Sequence, residues 1–429
     1  MNSLNNPTID RSERRDLLLE DAFLQATDST IVAPNILQRA LFPRLSTQDS
    51  GILVQTGPGA GRLEAVFVPV MSTSHIDDVL HRLYIIAPDN CLLDDYLYRL
   101  VPYMRALSAA RGIPITLFID EQSPFCRTYL SDGTFSDDLY QHPLDPRVDL
   151  VVAHFSSFRS LFFGAGGVHA LPGALEHIDE LDINLAARRR DLFYFDEAQS
   201  YVREEFTGFV RLVEFLYAED LDIVVGTTTL PEACHEELSF LEDLVLQSGP
   251  YQPPRVISAI PAAKDKETDI IVDLIKNKYF ESSRAGVVRE TVSDTEDCYR
   301  RLSALYPQLV FCYHSGQTNM ERIKTYALLR ELEKEGEGYL LVCDGKALEG
   351  ADIDVNLMIM SVCTPESLIL RAGRCNRRGD LQNGEIIIVG STYSGRALPD
   401  IGRFAYLDAL AGCTEKTRFE VADWNKFIV

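Results

Sequence analysis

The chain has 429 residues, 46% of them hydrophobic, enough to bury one large core or two to three ordinary ones. A net charge of −23 and a pI near 4.8 exclude general, salt-driven affinity for nucleic acid, so any such binding must rest on a local basic patch or on a partner protein. Nine cysteines without a CxxC pair fit neither a zinc site nor a disulfide framework, and neither the polar N-terminus nor any apolar run suits export or a membrane span, which implies a soluble cytoplasmic protein without a membrane partner.

Along the chain, short apolar runs alternate with amphipathic stretches, the pattern of parallel-sheet α/β domains. In the first half GILVQTG, RLYIIAP, ITLFID, VDLVVAHF, LFYFDEA and LDIVVGTTT predict buried strands. DDYLYRLVPYMRALSAARG and GFVRLVEFLYAED predict helices between them. Residues 156–190, rich in glycine and ending in Arg188, Arg189 and Arg190, suggest a loop-rich insertion with a solvated basic end. GPYQPPR, residues 249–255, is the best linker candidate. A second series follows, with RAGVVRET, QLVFCYHS, GYLLVCD, VNLMIMSV and GEIIIVGS as strands, and TEDCYRRLSALY and MERIKTYALLRELEKEGE as helices. The tail, which holds the only tryptophan, Trp424, suggests an appended helix or docking segment.

Several strand ends carry chemistry. TGPGAGRLEA, from Thr56, is a glycine-rich turn between a strand and a helix start, the arrangement that cradles phosphate with backbone N–H groups. The usual pattern ends Gly-Lys-Ser/Thr. Here Arg62 stands in the lysine position and Leu63 where a hydroxyl would hold Mg²⁺, so a plain strand–turn–helix connection is an equal alternative. DLFYFDEAQS delivers Asp196 and Glu197 at the C-terminal edge of a strand, a place where one acid can hold Mg²⁺ and the other activate water. The alternative is a helix cap with an acid in the first turn. Thr227, Thr228 and Thr229 end the next strand, as a turn or as a relay. In the second half Gly350, Asp352 and Asp354 precede a strand, where the carboxylates suit a ribose, the nearby arginines or plain solvent. His314 is expected in the core. LRAGRCNRRG, Leu370 to Gly379, packs four arginines into ten residues. Arg371, Arg374 and Arg377 recur every three residues and so would share a helix face, either solvated or aimed at polyphosphate or a nucleic-acid backbone.

Taken in order, the glycine loop, DEAQ, TTTLP, HSG, GADID and RAGRCNRRG resemble the superfamily 2 helicases, and within them the helicase of type I CRISPR interference. The resemblance runs over about residues 35 to 395 and is most specific in the arginine motif. It implies two tandem RecA-like α/β domains, 30–248 and 256–395, after an N-terminal extension of 1–29, joined by the linker and followed by a tail of 396–429. By the resemblance Gln38 reads adenine, while Thr56, Gly57, Gly59, Gly61 and Arg62 cradle the phosphates of ATP. Asp196 holds Mg²⁺ and Glu197 orients water; Gly350 and Asp352 meet the ribose side. Gln199, Thr227, Thr229 and Arg371 couple the domains, and Arg374 and Arg377 act as arginine fingers. The implied activity is an ATP-dependent helicase or translocase on single-stranded DNA, working with a CRISPR surveillance complex. No His-Asp dipeptide occurs, which implies a separate nuclease subunit.

The departures define a second reading. The family carries Lys-Thr at Arg62-Leu63, His at Gln199 and Gln at Leu370, and a threonine near Cys343 and Asp344, where an aspartate would repel phosphate. Losing the lysine and the hydroxyl together removes charge neutralisation that phosphoryl transfer needs. The alternative is therefore a hydrolysis-impaired, helicase-like adaptor that docks on the surveillance complex.

Overall fold

The computed structural model describes residues 21–24, 33–45, 51–57, 60–73, 82–120, 125–138, 148–163, 191–201, 203–228, 230–246, 254–279, 283–379, 384–390, 400–413 and 417–419. The 164–190 segment, most of the expected linker and Trp424 lie outside the described residues. Two compact units emerge, one of residues 1–88 with 99–250 and one of 89–98 with 251–429.

The first unit is built on a nine-stranded sheet. Its strands are β1 (Gly51–Gln55), β2 (Leu83–Ala87), β3 (Ile115–Asp120), β4 (Phe125–Tyr129), β5 (Phe135–Asp138), β6 (Leu150–His154), β7 (Leu192–Phe195), β8 (Asp222–Thr227) and β9 (Glu242–Val245). The spatial order is β5-β4-β3-β6-β2-β7-β8-β1-β9, parallel except for the β3–β4–β5 meander. Helices α1 (Ile36–Leu45), α2 (Arg62–Thr73), α3 (Asn90–Arg111, whose residues through Tyr98 belong to the second unit), α4 (Phe155–Phe163), α5 (Arg203–Ala218) and α6 (Glu232–Glu237) connect the strands. The run LFYF of β7 is buried along its whole length, as expected of a central parallel strand packed on both faces. Phe193 stacks on Tyr84 at 4.6 Å and Phe209 on Tyr201 at 4.4 Å, so aromatic packing fixes the strand that ends in DEAQ.

The second unit holds a seven-stranded sheet of β10 (Arg255–Ile260), β11 (Arg284–Arg289), β12 (Val310–Tyr313), β13 (Tyr339–Asp344), β14 (Leu357–Ser361), β15 (Gly384–Val389) and β16 (Thr417–Arg418). Its order is β12-β13-β11-β14-β15-β10-β16, parallel but for β16. The helices are α7 (Glu267–Lys278), α8 (Val292–Leu305), α9 (Asn319–Glu335), α10 (Gly345–Gly350), α11 (Pro365–Ala372) and α12 (Asp400–Gly412). Local chemistry sets their limits. Thr318 and Glu321 form a capping box at the start of α9, and Gly336 ends it with φ 77°. Thr291 and Thr364 cap α8 and α11, with Pro365 at the first turn of α11.

These two mostly parallel, helix-flanked sheets are the expected α/β architecture. The strands predicted from apolar runs all form. The β4–β5 hairpin, β9, β10 and β16 were not anticipated. Two expectations are corrected: residues 156–163, expected to open a loop-rich insertion, lie in α4, and Arg371, Arg374 and Arg377 do not share a helix face. Helix α11 stops at Ala372, Gly373 caps it, and Asn376 takes φ 49°, so Arg374 and Arg377 lie on an irregular turn.

Candidate functional site

In the first unit, the end of β1, the start of α2, the end of β7 and the end of β8 meet around one guanidinium. Gly61, at φ 75°, turns the chain into α2, and Arg62 is its first residue. Arg62 Nε donates to Asp196 Oδ1 at 3.1 Å and Nη2 to Glu197 Oε1 at 2.6 Å. Its Nη1 reaches the Thr56 hydroxyl and the Thr227 carbonyl, each at 3.4 Å. Arg62 is 7% exposed and Asp196 5%. Burial opposes the charge on Arg62, but Glu197 and then Asp196 more than offset it, so the guanidinium is held protonated beyond its ordinary range. Burial, and then the Asp196 carboxylate, push the Tyr194 phenol well up.

The acids are themselves constrained. Glu197 sits in the left-handed region at φ 50°, uncommon for a residue with a side chain, and its N–H donates to Asp196 Oδ1 at 2.9 Å. Gln199 donates to Glu197 Oε2 and accepts from the Thr227 hydroxyl at 2.8 Å and from the Thr228 N–H at 3.3 Å. A Cβ at Gly226 would fall 2.9 Å from Asp196 Oδ1, so the β8 backbone approaches as closely as only glycine allows. Thus Thr56, Arg62, Asp196, Glu197, Gln199 and Thr227 form one connected polar cluster. Gly59 and Thr229 lie outside the described residues.

Gln38 is buried beside the loop. It exchanges hydrogen bonds with Asn35, whose N–H reaches Gln38 Oε1 at 2.8 Å and whose Oδ1 accepts the Gln38 N–H at 2.9 Å. Asn35 also donates to the Ala60 carbonyl at 2.9 Å, which ties the loop to α1. Asn35 was missed, although a short polar side chain just before a helix is a capping signal. Glu64 in the first turn of α2 pairs with Arg99 at 2.6 Å and anchors the helix to α3.

Mg²⁺ needs a near-octahedral shell of oxygens and retains several waters. Here Asp196 Oδ1 is taken by Arg62 and a backbone N–H, and both Glu197 oxygens are taken by Arg62 and Gln199. Leu63, 2% exposed, is packed in the core and offers no oxygen. No cluster of three or more His, Cys, Asp or Glu side chains suited to a metal occurs among the described residues. In this arrangement the Arg62 guanidinium stands against the carboxylate expected to hold Mg²⁺.

In the second unit, the arginine motif is held by acids of the same unit. Arg371, 3% exposed, pairs with Glu349 at 2.8 Å and with Glu290. It lies flat on Gly345, where a Cβ would come within 1.8 Å of Arg371 Nη2. Arg374 Nη2 donates to the Glu349 carbonyl at 2.8 Å, and Arg377 pairs with Asp352 at 3.0 Å. Asp354 accepts the Arg377 N–H at 2.7 Å and the Arg378 N–H at 3.4 Å, holding the turn. Asp352 also faces Arg330 at 3.6 Å. Of the three outcomes open to these acids, pairing with the arginines is the one seen. Gly350 leaves room for the chain at Leu92, whose N would lie 2.8 Å from a Cβ there. Asp344, expected to confront phosphate, instead caps α10: it accepts from the Ala347 N–H at 2.8 Å and the Ser315 N–H at 3.0 Å. His314 is buried, as expected, and its Nδ1 accepts the Gly316 N–H at 3.2 Å.

Residues 281–380, which span this motif, match the family model described as CRISPR-associated nuclease/helicase Cas3, C-terminal. The chain is related to the Cas3 helicases. It is 26% identical over 254 residues to the CRISPR-associated nuclease/helicase Cas3 of Methanothermobacter thermautotrophicus, covering 54% of this chain and 29% of that protein. It is 23% identical over 223 residues to the putative Cas3 of Methanocaldococcus jannaschii, covering 49% of this chain and 30% of that protein. The matched stretches therefore span less than a third of these Cas3 proteins. The solved T. fusca Cas3–AMPPNP structure superposes with a TM-score of 0.63 at 15% identity, over 95% of this chain and 52% of that one, which establishes the tandem RecA-like fold. No helix among the described residues is long and apolar enough to cross a membrane.

Proposed function

We propose that this Cas3-like chain is a nucleotide-binding subunit of a type I CRISPR interference system whose resting phosphate site is held out of the hydrolytic arrangement by Arg62, with DNA cutting carried by a separate nuclease subunit. The observation that carries this reading is the Arg62 bridge to both Asp196 and Glu197, at 3.1 and 2.6 Å. A water-orienting carboxylate that is bound to a guanidinium on one oxygen and to an amide on the other must be contested by water against both donors. The strongly negative chain, with its motif arginines paired to its own acids, supports binding to single-stranded DNA through a protein complex rather than alone. Nucleotide binding is supported by the fold and by its likeness to the T. fusca Cas3–AMPPNP structure.

The second reading, an ATP-driven motor on single-stranded DNA, is favoured by one observation: DEAQ and RAGRCNRRG remain, with Asp196 and Glu197 at the end of β7 and Arg374 and Arg377 on the turn that follows α11. There Arg62 would release both acids when nucleotide and Mg²⁺ arrive, and the arginines would stabilise the transferring phosphate. Phosphate release with and without single-stranded DNA separates the two. DNA-stimulated turnover lost in Glu197→Gln and in Arg374→Ala sinks the impaired reading; bound nucleotide without turnover sinks the motor. Co-purification of the chain with a surveillance complex tests the assembly.

A further inference from the structure

We infer that Asp344 keeps nucleic-acid phosphate off the second unit: its carboxylate is the resident anion of a notch, at the ends of β12 and β13, whose donors suit a phosphate oxygen. The notch is built wholly from residues of the second unit, so the inference is independent of the nucleotide reading of the first.

The donor set comes first. Asp344 Oδ1 accepts the Ala347 N–H at 2.8 Å, and Oδ2 accepts both the Ser315 N–H at 3.0 Å and the Ser315 hydroxyl at 2.5 Å. Tyr313, the last residue of β12, lies beside Cys343 in the sheet, so Ser315 and Asp344 leave neighbouring parallel strands at the same edge. Ligands of parallel sheets bind at that carboxyl-terminal edge. Backbone N–H groups and hydroxyls grip strand phosphates as well as cations do.

Capping alone does not account for the occupant. A cap of α10 takes one oxygen and one N–H. The second oxygen of Asp344 is spent on Ser315, 29 residues away. Asp344 is 4% exposed, whereas Ser315 and Gly316 are exposed, so a ligand would reach the Ser315 donors if the acid were gone.

The surrounding charge acts in the same direction. Arg289, the last residue of β11, pairs with Asp344 in the sheet, which brings Glu290 to the same edge. Arg371 lies against Gly345 beside the notch, but Glu290 and Glu349 hold it. Glu296 stands 3.8 Å from His314. The exposed Lys346 is outnumbered by these acids. A strand phosphate brought here competes with a carboxylate that is always present, and it meets further carboxylates in a chain of net charge −23. With the notch filled from within, restoring ATP hydrolysis in the first unit would not give the second unit a hold on DNA at this edge.

The test is binding of a fluorescent single-stranded oligothymidylate of about twenty nucleotides to the full chain at about 50 mM salt, with amide hydrogen exchange on the same samples. Asp344→Thr and Asp344→Asn remove the charge and free the Ser315 donors while keeping an oxygen on the cap. Glu337→Gln makes the same charge change at an exposed position just before β13, at the opposite end of that strand. Both Asp344 variants should bind at least about tenfold tighter than the natural chain, with Glu337→Gln within about twofold of it. The oligonucleotide should slow exchange at the Ser315 amide in the Asp344 variants and not in the natural chain. A natural chain whose Ser315 amide is already slowed by the oligonucleotide overturns the inference. So do folded Asp344 variants that gain no more than Glu337→Gln. Neither readout uses nucleotide, so failure here leaves the reading of the first unit standing.

Discussion

Replacing Arg62 by methionine leaves Asp196 and Glu197 side by side without their cation. Asp196 is buried and Glu197 is 19% exposed at its side chain, so solvent can relieve one acid but not the other. Removing one partner of a buried ion pair costs about 3–5 kcal/mol. The partial exposure of Glu197 places this cluster at the lower end, about 3 kcal/mol. For a unit of this size each kcal/mol shifts the melting temperature by about 2–4 °C, so the unit should melt about 6–12 °C lower. The assay is calorimetry of the natural chain, of Arg62→Met, and of Arg62→Met combined with Asp196→Asn and Glu197→Gln. The combined variant removes the stranded charges and should recover more than half of the loss, the non-additivity expected of residues in one network. An Arg62→Met chain as stable as the natural one, or a combined variant no better than Arg62→Met, refutes the claim that Arg62 is the internal counter-ion.

Further outcomes follow from the second unit. In Gly345→Ala the new Cβ meets Arg371 Nη2 at 1.8 Å, and displacing the guanidinium from Glu349 and Glu290 should cost about 1–3 kcal/mol in urea unfolding, whereas Lys346→Ala, at an exposed position next door, should cost under about 0.5 kcal/mol. Asp344→Ala removes the α10 cap and should cost about 1–2 kcal/mol in the same assay, while Asp344→Asn keeps most of the capping. Burial, with Glu349 nearby, raises the Asp89 carboxyl to about 6, so its charge costs stability above that pH and the cost is relieved as pH falls through 6 towards the ordinary 3.8. Asp89→Asn still caps Leu92 and should raise the melting temperature at about pH 7.5, with the advantage gone near about pH 4. A constant advantage across that range would show that Asp89 is not the titrating group.

The central strands were legible because parallel strands covered on both faces need unbroken apolar runs, and LFYF or LMIM can be little else. The β4–β5 hairpin was less visible: FCRTY and FSDD form a polar edge of the sheet. Its turn signal, Asp132-Gly133 with φ 83° at the glycine, was nonetheless present. The arginine motif shows the opposite failure. A three-residue spacing suggested a helix face, but Gly373 ends α11 inside the motif and a positive φ at Asn376 turns the chain away. At the candidate site, the order of motifs named most of the residues that meet, yet not their pairing. Arg62 lies 134 and 135 residues from its two acids, and nothing local in TGPGAGRLEA reveals that its cation points back into DEAQ rather than outward to a ligand. Asp344 caps α10 through the local Ala347 N–H, but its second partner, Ser315, lies 29 residues away and was not readable from the motif.

The most direct measurement of the central claim is steady-state phosphate release by the purified chain with ATP, Mg²⁺ and single-stranded DNA, run beside the Arg62→Lys with Leu63→Thr variant. The account predicts background release from the natural chain and a clear gain in the variant, because freeing Asp196 and Glu197 and restoring the hydroxyl returns what hydrolysis lacks. DNA-stimulated release by the natural chain, abolished by Glu197→Gln, would contradict it.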